Sequence, residues 1–509
     1  MNDCASAYPI FHVGRWLMGI RKAQRASGSR ALPRHAFQGW QMPVCLVVAL
    51  YLLVSDLTLF LPACGLTAPP HGYFNLDCLL IGIAGLFLPR GAVFLLLCLD
   101  TLAAFADSIC ATYLFSMREL LSSLRYLPLL PRGRLTEGIA VLTAGFLICA
   151  ALALVRPRSK KRIQLACALL ACFVLSTSID VFDGQNLLWR QDVVRSSFRL
   201  AHSPAFTLLA REVHAYRTNA ASRSGSNAPM PSASSRAISF LDDRRNGTEP
   251  PNVVLILVES WGMPLDAHLA GALTAAYDDP RLIRKYDIAY GTAPFTGLTV
   301  PGEARELCHS TAGFGIMHLS TEEAGQCLPA WFHARGYENL AIHGYLGQMF
   351  YRSNWYPKLG FDRMWFNPDL IQMGLPNCRG AFPGSCDASI AGWIESSLLA
   401  EDRDKPKFIY WVTLNSHLPV PANPDLPDDG MCKGEPELQD SAALCSWFRL
   451  VRSVHQSVAQ MALGASGRPT VFLLVGDHAP PFSSPRLRAK FSATEVPYVM
   501  LTPAELSRR

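Results

Sequence analysis

The sequence lacks the long lysine and arginine tracts, and the interleaving of basic with aromatic residues, that nucleic-acid-binding surfaces carry. Its formal net charge is +6, and charged residues make up only 17% of the 509 residues. Nucleic acid is therefore excluded as an expected partner. No apolar stretch directly follows the basic N-terminal residues, so a cleavable signal peptide is not expected. No Cys-x-x-Cys spacing occurs among the 15 cysteines, which disfavours a cysteine-ligated metal site.

Long apolar runs are concentrated in the first 190 residues. A helix needs about 20 apolar residues to cross a bilayer, and most of these runs approach or exceed that length. We predict five transmembrane helices, at roughly 43–63, 76–89, 92–115, 137–155 and 163–182.

Basic residues set the expected orientation of these helices. The N-terminal arm and the loop 156–162 are rich in arginine and lysine and should be cytoplasmic, whereas the loop 64–75 has neither. Five spans then place everything after about residue 183 on the outer side. Segment 116–136 is also placed outside although it carries four arginines, so we predict an amphipathic segment at the membrane surface.

The composition divides the chain into four predicted regions. Residues 190–217 mix apolar with basic residues, which suits a helix on the membrane surface, and 219–250 has the Ser-, Asn- and Pro-rich composition of a flexible linker. The regions are a cytoplasmic arm (1–42), a transmembrane domain (43–185), an interfacial helix with linker (186–250) and an exported catalytic domain (251–509).

Six cysteines lie in the exported region, and they fall into three close pairs. An even number of cysteines on the outer side of a membrane is typical of disulfides. We predict the bridges Cys308–Cys327, Cys378–Cys386 and Cys432–Cys445. Such bridges fit an oxidising periplasm.

The stretch near the C-terminus around Asp477 and His478 organises the exported region. Val471 to Val475 is a continuous apolar run, typical of a parallel strand that is buried on both faces, and Gly476 ends it. We therefore predict an α/β fold with a central, mostly parallel sheet.

Three other predicted strands end on a metal-ligating residue type. They end at Glu259, His343 and His417. Each residue alone is equally compatible with turn chemistry. The carboxyl ends of parallel strands meet at one edge, where open α/β sheets bind ligands, and oxygen with imidazole ligands suits Zn²⁺ or Mn²⁺.

Thr299 is the candidate nucleophile. It lies in Gly297-Leu-Thr-Val-Pro-Gly-Glu303, a stretch that turns helical afterwards, so Thr299 should be at or before a helix start, where backbone N–H groups favour an anion. A metal on its hydroxyl would lower the pKa and make it attack phosphorus. The alternative is that Thr299 is only a helix N-cap.

These motifs, taken in order, resemble the alkaline phosphatase/sulfatase superfamily over roughly 250–505. Within it, the chain resembles the membrane-anchored lipoteichoic acid synthases and the periplasmic phosphoethanolamine transferases. The matching pieces are the strand ending at Glu259, Gly-x-Thr299 with Glu303 four residues on, His343-Gly leading to Arg352, Asn415-Ser-His417-Leu-Pro, and Gly-Asp477-His478.

The resemblance implies a role for each matched residue. Glu259, Thr299, Asp477 and His478 would hold one divalent metal, Zn²⁺ in preference to Mn²⁺, and Thr299 would carry a covalent phospho-substituent. The residues implied in contacting the substrate are His417, Arg352, His343 and Glu303.

The implied function is transfer of a phospholipid headgroup to a glycan at the bacterial inner membrane, with the catalytic domain in the periplasm. The headgroup, phosphoethanolamine or glycerol phosphate, stays open because the chain departs from both patterns. Lipoteichoic acid synthases carry Trp just before the Arg where Tyr351 stands here, and phosphoethanolamine transferases continue with Gly-Glu where Ala479-Pro follows here. The alternatives are a phosphodiesterase, a sulfatase, and a non-catalytic scaffold for polysaccharide export.

Overall fold

The computed structural model describes most of the chain from residue 74 onward. The described residues are 74–113, 116–154, 159–182, 201–223, 230–242, 249–399, 405–422, 424–427, 430–439, 441–465, 467–482 and 484–507. The predicted cytoplasmic arm 1–42 and the first predicted span, 43–63, lie outside them.

The described residues form the following strands: β1 (Phe74–Asn75), β2 (Ala201–His202), β3 (Asn252–Val258), β4 (Tyr286–Pro294), β5 (Glu338–His343), β6 (Arg363–Trp365), β7 (Asn377–Cys378), β8 (Gly384–Ser385), β9 (Lys407–Val412), β10 (Thr470–Gly476) and β11 (Glu495–Pro503). Seven of them build one sheet in the order β4-β11-β10-β3-β9-β5-β6. β10, β3, β9, β5 and β6 are parallel to one another. β11 is antiparallel to both of its neighbours, β10 and the edge strand β4, so it alone runs opposite to the other six strands of this sheet. The predicted α/β fold with a mostly parallel sheet is confirmed.

The helices of the described residues are α1 (Leu76–Ala84), α2 (Arg90–Tyr113), α3 (Met117–Ser123), α4 (Arg132–Leu154), α5 (Ser159–Phe182), α6 (Pro204–Arg223), α7 (Ala233–Asp242), α8 (Ala267–Thr274), α9 (Pro280–Lys285), α10 (Thr299–Cys308), α11 (Thr321–Ala324), α12 (Leu328–His333), α13 (Arg352–Leu359), α14 (Asn367–Gln372), α15 (Asp387–Trp393), α16 (Met431–Gly434), α17 (Pro436–Gln439), α18 (Ala442–Gly464), α19 (Pro485–Arg488) and α20 (Ala504–Ser507).

The sheet is buried on both faces because alternate residues of each central strand point to opposite sides. Val254, Ile256 and Val258 of β3 pack in one core with α8, α15 and α18. Val253, Leu255 and Leu257 pack in the other core with α7, α10, α12 and α13. The continuous apolar runs of β3, β9 and β10 follow from this two-sided burial.

Among the residues of the N-terminal half that the structure describes, two helices are long and apolar enough to cross a bilayer, within Arg90–Cys110 and Leu135–Leu154. The apolar stretch Ile163–Ser178 is shorter, and α1, in the second predicted span, has 9 residues. Five transmembrane helices therefore remain a prediction, and the two long apolar helices support part of it.

The segment between these two helices contacts the catalytic domain. It comprises α3 and a 3₁₀ turn, Leu124–Leu129, with Leu121, Leu124 and Leu127 exposed. The Tyr126 ring is buried against Phe350 and Tyr351 at centroid distances of 5.2 and 5.4 Å. Tyr345 donates a hydrogen bond of 2.7 Å to the Leu129 carbonyl.

Two described parts of the region between the two halves, 201–223 and 230–242, contain helices. The predicted surface helix 190–217 corresponds in part to α6, and Asp107 of α2 pairs with Arg211 of α6 at 3.4 Å and with His202 of β2 at 2.8 Å. The prediction of a flexible linker at 219–250 is wrong for 233–242, which form α7. Ala233 and Ala237 of this helix are buried in the second core, and Glu306 accepts hydrogen bonds from the N–H groups of Ala233 and Ser234.

The structure contains the three predicted disulfides, Cys308–Cys327, Cys378–Cys386 and Cys432–Cys445. Each closes a short loop, with sequence separations of 19, 8 and 13 residues. The free cysteines of the described residues lie in the membrane half. This distribution of cysteines matches the prediction, which places free thiols within apolar helices and disulfides in the C-terminal domain.

Replacing Phe408 with Ala tests the second core. Phe408 is fully buried and stacks on Phe332 at 4.3 Å. We expect the Phe408→Ala variant to lose about 3–5 kcal/mol of unfolding free energy, because a buried phenyl ring leaves a cavity. Urea denaturation of the full-length protein in detergent measures it. The control Ile371→Ala, at a side chain 44% exposed, should change stability by about 0.5 kcal/mol or less; equal losses in both variants would contradict this packing.

Candidate metal centre and nucleophile

The ends of β3 and β10 bring three predicted ligands together. The strands are paired in parallel register with Val258 opposite Gly476, so Glu259 emerges beside Asp477 and His478. The close approach requires glycine at 476, because a Cβ there would lie 1.9 Å from the Trp261 carbonyl oxygen. A ligand atom from each of Glu259, Asp477 and His478 lies within 4.8 Å of the others.

The imidazole of His478 is oriented towards the two carboxylates. Its Nδ1 lies 2.9 Å from the Ala479 carbonyl oxygen, so Nδ1–H is the donor, and in the neutral imidazole Nε2 carries the lone pair. Nε2 lies 3.2 Å from Asp477 Oδ2 and 3.5 Å from Glu259 Oε1. With the imidazole neutral, three acceptor groups therefore face one another in a small space.

This arrangement fits a divalent cation. The three side chains are almost fully buried, since Glu259, Asp477 and His478 are only 3%, 1% and 2% exposed to water. Among the described residues, Asp477 Oδ2 accepts no hydrogen bond. Burial and the neighbouring Glu259 charge raise the pKa of Asp477. Burial opposes the charge on His478, but Asp477 and Glu259 outweigh it and raise the pKa of His478 to about 9. Either a proton on the imidazole or a cation relieves the repulsion, and this donor set is suited to Zn²⁺.

Thr299 stands beside these ligands at the first residue of α10. Its Oγ1 donates a hydrogen bond of 3.0 Å to Glu259 Oε2, and its side chain is half-buried. α10 packs closely on β10, since a Cβ at Gly302 would lie 3.1 Å from Asp477 Cβ. The predicted position at the helix start is confirmed, and the hydroxyl, the carboxylates and the helix N-terminus converge.

Several supporting residues were missed by sequence reasoning. Ser260 adopts a left-handed backbone (φ 56°), which directs its N–H to Asp477 Oδ1 at 2.7 Å, and its hydroxyl donates to Glu259 Oε1 at 2.7 Å. Arg305 is buried and donates to the carbonyl oxygens of Gly476 and Asp477 at 2.6 and 3.3 Å. The position of Ser260 directly after Glu259 was the one available signal, because nothing in the sequence marks an arginine as buried.

The two other strand-end histidines differ in environment. His343 is buried at the end of β5, and its Nδ1 lies 3.1 Å from the Val412 carbonyl oxygen. Burial and the nearby Arg352 lower the pKa of His343 to about 3, so its imidazole is neutral. His417 follows β9 and is half-buried, with Nδ1 at 2.7 Å from the Leu418 carbonyl oxygen.

Glu303 and Arg352, both predicted to contact substrate, are paired with each other. The Arg352 guanidinium donates to Glu303 Oε1 through Nε and Nη2 at 2.9 and 2.6 Å, and the Tyr356 hydroxyl donates to Oε2 at 2.5 Å. All three side chains are buried. In this structure the pair joins α10 to α13, and a substrate contact of either residue remains a proposal.

The sequence model of the sulfatase family matches residues 251–509, just over half of the chain. The chain belongs to the sulfatase family. In sequence it is also 28% identical over 159 residues to a candidate cyclic beta-1,2-glucan modification protein of Rhizobium meliloti (strain 1021). That match covers 31% of this chain and 24% of the relative, about a quarter of its length.

Solved structures with similar folds include three bacterial enzymes or enzyme domains. The lipoteichoic acid synthase LtaP from Listeria monocytogenes is 15% identical, with a TM-score of 0.36 over 53% of this chain and 72% of that chain. The Streptococcus pyogenes phosphoglycerol transferase GacH, in complex with sn-glycerol-1-phosphate, is 15% identical (TM-score 0.33; 53% and 72%). The zinc complex of the C-terminal periplasmic domain of EcEptC from Escherichia coli is 13% identical (TM-score 0.35; 52% and 76%).

Zinc binding should release a proton and weaken as the pH falls. With its pKa raised to about 9, the His478 imidazole of the metal-free protein is protonated at pH 7 and must lose that proton to bind. We expect the affinity to fall by up to about tenfold per pH unit below pH 9. Isothermal titration with Zn²⁺ in buffers of different ionisation enthalpy measures both quantities.

Two variants complete this test. Asp477→Asn should weaken Zn²⁺ binding by at least about tenfold, whereas Asp266→Asn, at an exposed cap of α8, should not. Binding that is independent of pH, or equally strong in Asp477→Asn and wild type, would contradict this metal centre.

Proposed function

We propose that this protein transfers a phospholipid headgroup, phosphoethanolamine or glycerol phosphate, through a covalent intermediate on Thr299 to a hydroxyl group of a glycan. The observation that carries the proposal is the hydrogen bond of 3.0 Å from Thr299 to Glu259, within the cluster of Glu259, Asp477 and His478. A nucleophile, a carboxylate and a cation-binding cluster thus meet at a helix N-terminus.

In the first half-reaction, Thr299 Oγ attacks the phosphorus of the lipid headgroup. A bond forms between Oγ and phosphorus, the bond from phosphorus to the diacylglycerol oxygen breaks, and the Thr299 proton ends on that oxygen. Glu259 orients Oγ through its hydrogen bond, and the N-terminus of α10 favours the negative phosphoryl group. A bound divalent cation would lower the pKa of the Thr299 hydroxyl and neutralise charge on the phosphoryl oxygens.

In the second half-reaction, a hydroxyl oxygen of the acceptor attacks the same phosphorus. The bond between phosphorus and Thr299 Oγ breaks, and Thr299 regains a proton that originates from the acceptor. His417, at the end of β9 on this edge of the sheet, is proposed to hydrogen-bond the phosphoryl group or headgroup, with Arg352 and His343 lying deeper on the same side. Such donors stabilise charge that develops in the transition state.

A membrane lipid is the proposed donor because the catalytic domain contacts the membrane half. The loop after β5, which follows His343, packs on the segment between α2 and α4 through the hydrogen bond from Tyr345 to Leu129. The exposed leucines of that segment, Leu121, Leu124 and Leu127, suit a membrane surface. The proposed location is the bacterial inner membrane, with the catalytic domain in the periplasm.

A glycan is the proposed acceptor. The Rhizobium meliloti relative, described as a cyclic beta-1,2-glucan modification protein, supports this choice. The similarity extends over 159 residues, which is 31% of this chain. The name of that relative fixes neither the glycan nor the headgroup for this protein.

Three alternatives compete with this proposal. Sulfatases need a cysteine or serine that is converted to formylglycine, and Thr299 cannot give that aldehyde. A phosphodiesterase would use the same Thr299 and differ only in water as the final acceptor. A non-catalytic scaffold needs none of the geometry that joins Thr299 to Glu259.

The covalent intermediate gives the most direct test of this function. Purified full-length protein, incubated with mixed bacterial phospholipids and Zn²⁺, should show an increased mass on the Thr299 peptide and release diacylglycerol. The added mass separates phosphoethanolamine from glycerol phosphate. Thr299→Ala should abolish both signals, with a loss of at least about 10³-fold, and Thr299→Ser should retain the adduct because a hydroxyl remains.

A glycan added after adduct formation should discharge the Thr299 adduct and become labelled. If the Thr299 adduct is lost at the same rate with and without glycan, and no glycan becomes labelled, water is the acceptor. That result would favour the phosphodiesterase. Diacylglycerol release by Thr299→Ala at the wild-type rate would refute the proposed nucleophile.

A further inference from the structure

The Cys378–Cys386 bridge closes a loop beside His417, which we call the disulfide loop (378–386). β7 and β8 pair within it, and the Ser385 N–H donates to the Gly344 carbonyl oxygen at 2.9 Å, directly after His343. The approach is so close that a Cβ at Gly384 would lie 2.2 Å from the same oxygen. The loop is therefore fixed to the end of β5.

The disulfide loop also touches His417. The Phe382 ring packs edge-on against the His417 imidazole, with a centroid distance of 4.7 Å and an interplanar angle of 88°. The Phe382 ring also contacts the Tyr345 ring, at a centroid distance of 5.1 Å. Phe382 thus fills the space between the loop after β5 and the imidazole, and limits how the imidazole can rotate.

Asp387, the residue after Cys386, holds the backbone that carries His417. The buried Asp387 carboxylate accepts hydrogen bonds from the N–H of Leu414 at 3.1 Å and of Asn415 at 2.8 Å. In return, the Asn415 side-chain oxygen accepts the Asp387 N–H at 2.8 Å. This reciprocal contact satisfies two N–H groups and one side-chain oxygen at the end of β9.

The same backbone is attached to the metal centre on its other side. The segment 413–417, which we call the histidine loop, binds the backbone of Glu259 twice. The Glu259 N–H donates to Thr413 Oγ1 at 2.9 Å, and the Ser416 hydroxyl donates to the Glu259 carbonyl oxygen at 2.6 Å. The histidine loop therefore lies between the metal centre and the disulfide loop.

We propose that the disulfide loop positions His417 through Phe382 and through the adjacent Asp387, so that loss of the Cys378–Cys386 bridge impairs use of the substrate while the metal centre stays intact. This inference rests on the proposed function of His417. Phe382 and Asp387 are positioning residues, since neither lies among the reacting groups. The metal centre keeps its own supports, Ser260 and Arg305, which do not involve the disulfide loop.

The test compares two disulfide-free variants of the full-length protein, Cys378→Ser/Cys386→Ser and the matched control Cys432→Ser/Cys445→Ser. The control bridge joins α16 to α18 and makes no contact with Phe382 or Asp387 among the described interactions. The first variant should lower kcat/KM for diacylglycerol release by about 10–100-fold, since a misplacement of about 1 Å costs that much. The control should stay within about twofold, and both should keep wild-type zinc content.

Hydrogen exchange gives a readout that does not depend on activity. Amides of 413–418 should exchange faster in Asp387→Ala, because the N–H groups of Leu414 and Asn415 lose their acceptor. They should also exchange faster in Cys378→Ser/Cys386→Ser, because Asp387 then follows a loop that the bridge no longer closes. Asp387→Asn keeps one acceptor oxygen and should restore part of the protection and part of the kcat/KM. Phe382→Ala is the milder variant should a cysteine variant fail to fold, and it should raise KM more than it lowers adduct formation at saturating lipid.

The outcomes separate this proposal from the proposed function. Unchanged exchange of 413–418 in both Asp387→Ala and the cysteine variant overturns the positioning role, and so does an equal loss of kcat/KM in the control bridge. If wild-type protein releases no diacylglycerol, the proposed function fails, and the exchange data alone still decide whether the disulfide loop holds the histidine loop.

Discussion

The close approach of three buried metal-ligating side chains is the constraint on which the rest of the site depends. Glu259, Asp477 and His478 Nε2 face one another away from water, and burying unpaired charge is costly unless a cation or proton compensates it. The fold brings them together at the ends of two neighbouring parallel strands. The left-handed backbone of Ser260, which costs about 1–3 kcal/mol in an ordinary loop, and the glycine at 476 are both requirements of that approach.

The surrounding elements each attach one functional group to this cluster. α10 contributes Thr299. Two contacts fix this helix: its Glu303 accepts a hydrogen bond from Arg352 of α13, and its Arg305 donates a hydrogen bond to the Gly476 carbonyl oxygen of β10. The end of β9 contributes His417, held between Glu259 and the disulfide loop. The end of β5 leads to Tyr345, which contacts both that loop and the membrane half. One edge of the sheet thus joins the candidate metal site, the proposed nucleophile and the segment between α2 and α4.

Much of the fold was accessible from sequence because two-sided burial leaves a continuous apolar run. The runs that became β3, β9 and β10 predicted the sheet, and the residues at their ends predicted which side chains converge. The linker prediction failed at α7 because its low apolar content concealed a helix that docks through small residues, Ala233 and Ala237, and through hydrogen bonds to Glu306. The pairing of Glu303 with Arg352 and the role of Asp387 were equally hidden, since burial of a charge depends on a partner that is distant in sequence.

The central claim is that Glu259, Thr299, Asp477 and His478 form one cation site, and anomalous diffraction at the zinc edge from zinc-loaded crystals tests it most directly. The account predicts one anomalous peak among these four side chains, with Zn–O and Zn–N distances of about 2.0–2.2 Å. A zinc peak away from this cluster, or none in fully loaded crystals, would contradict it.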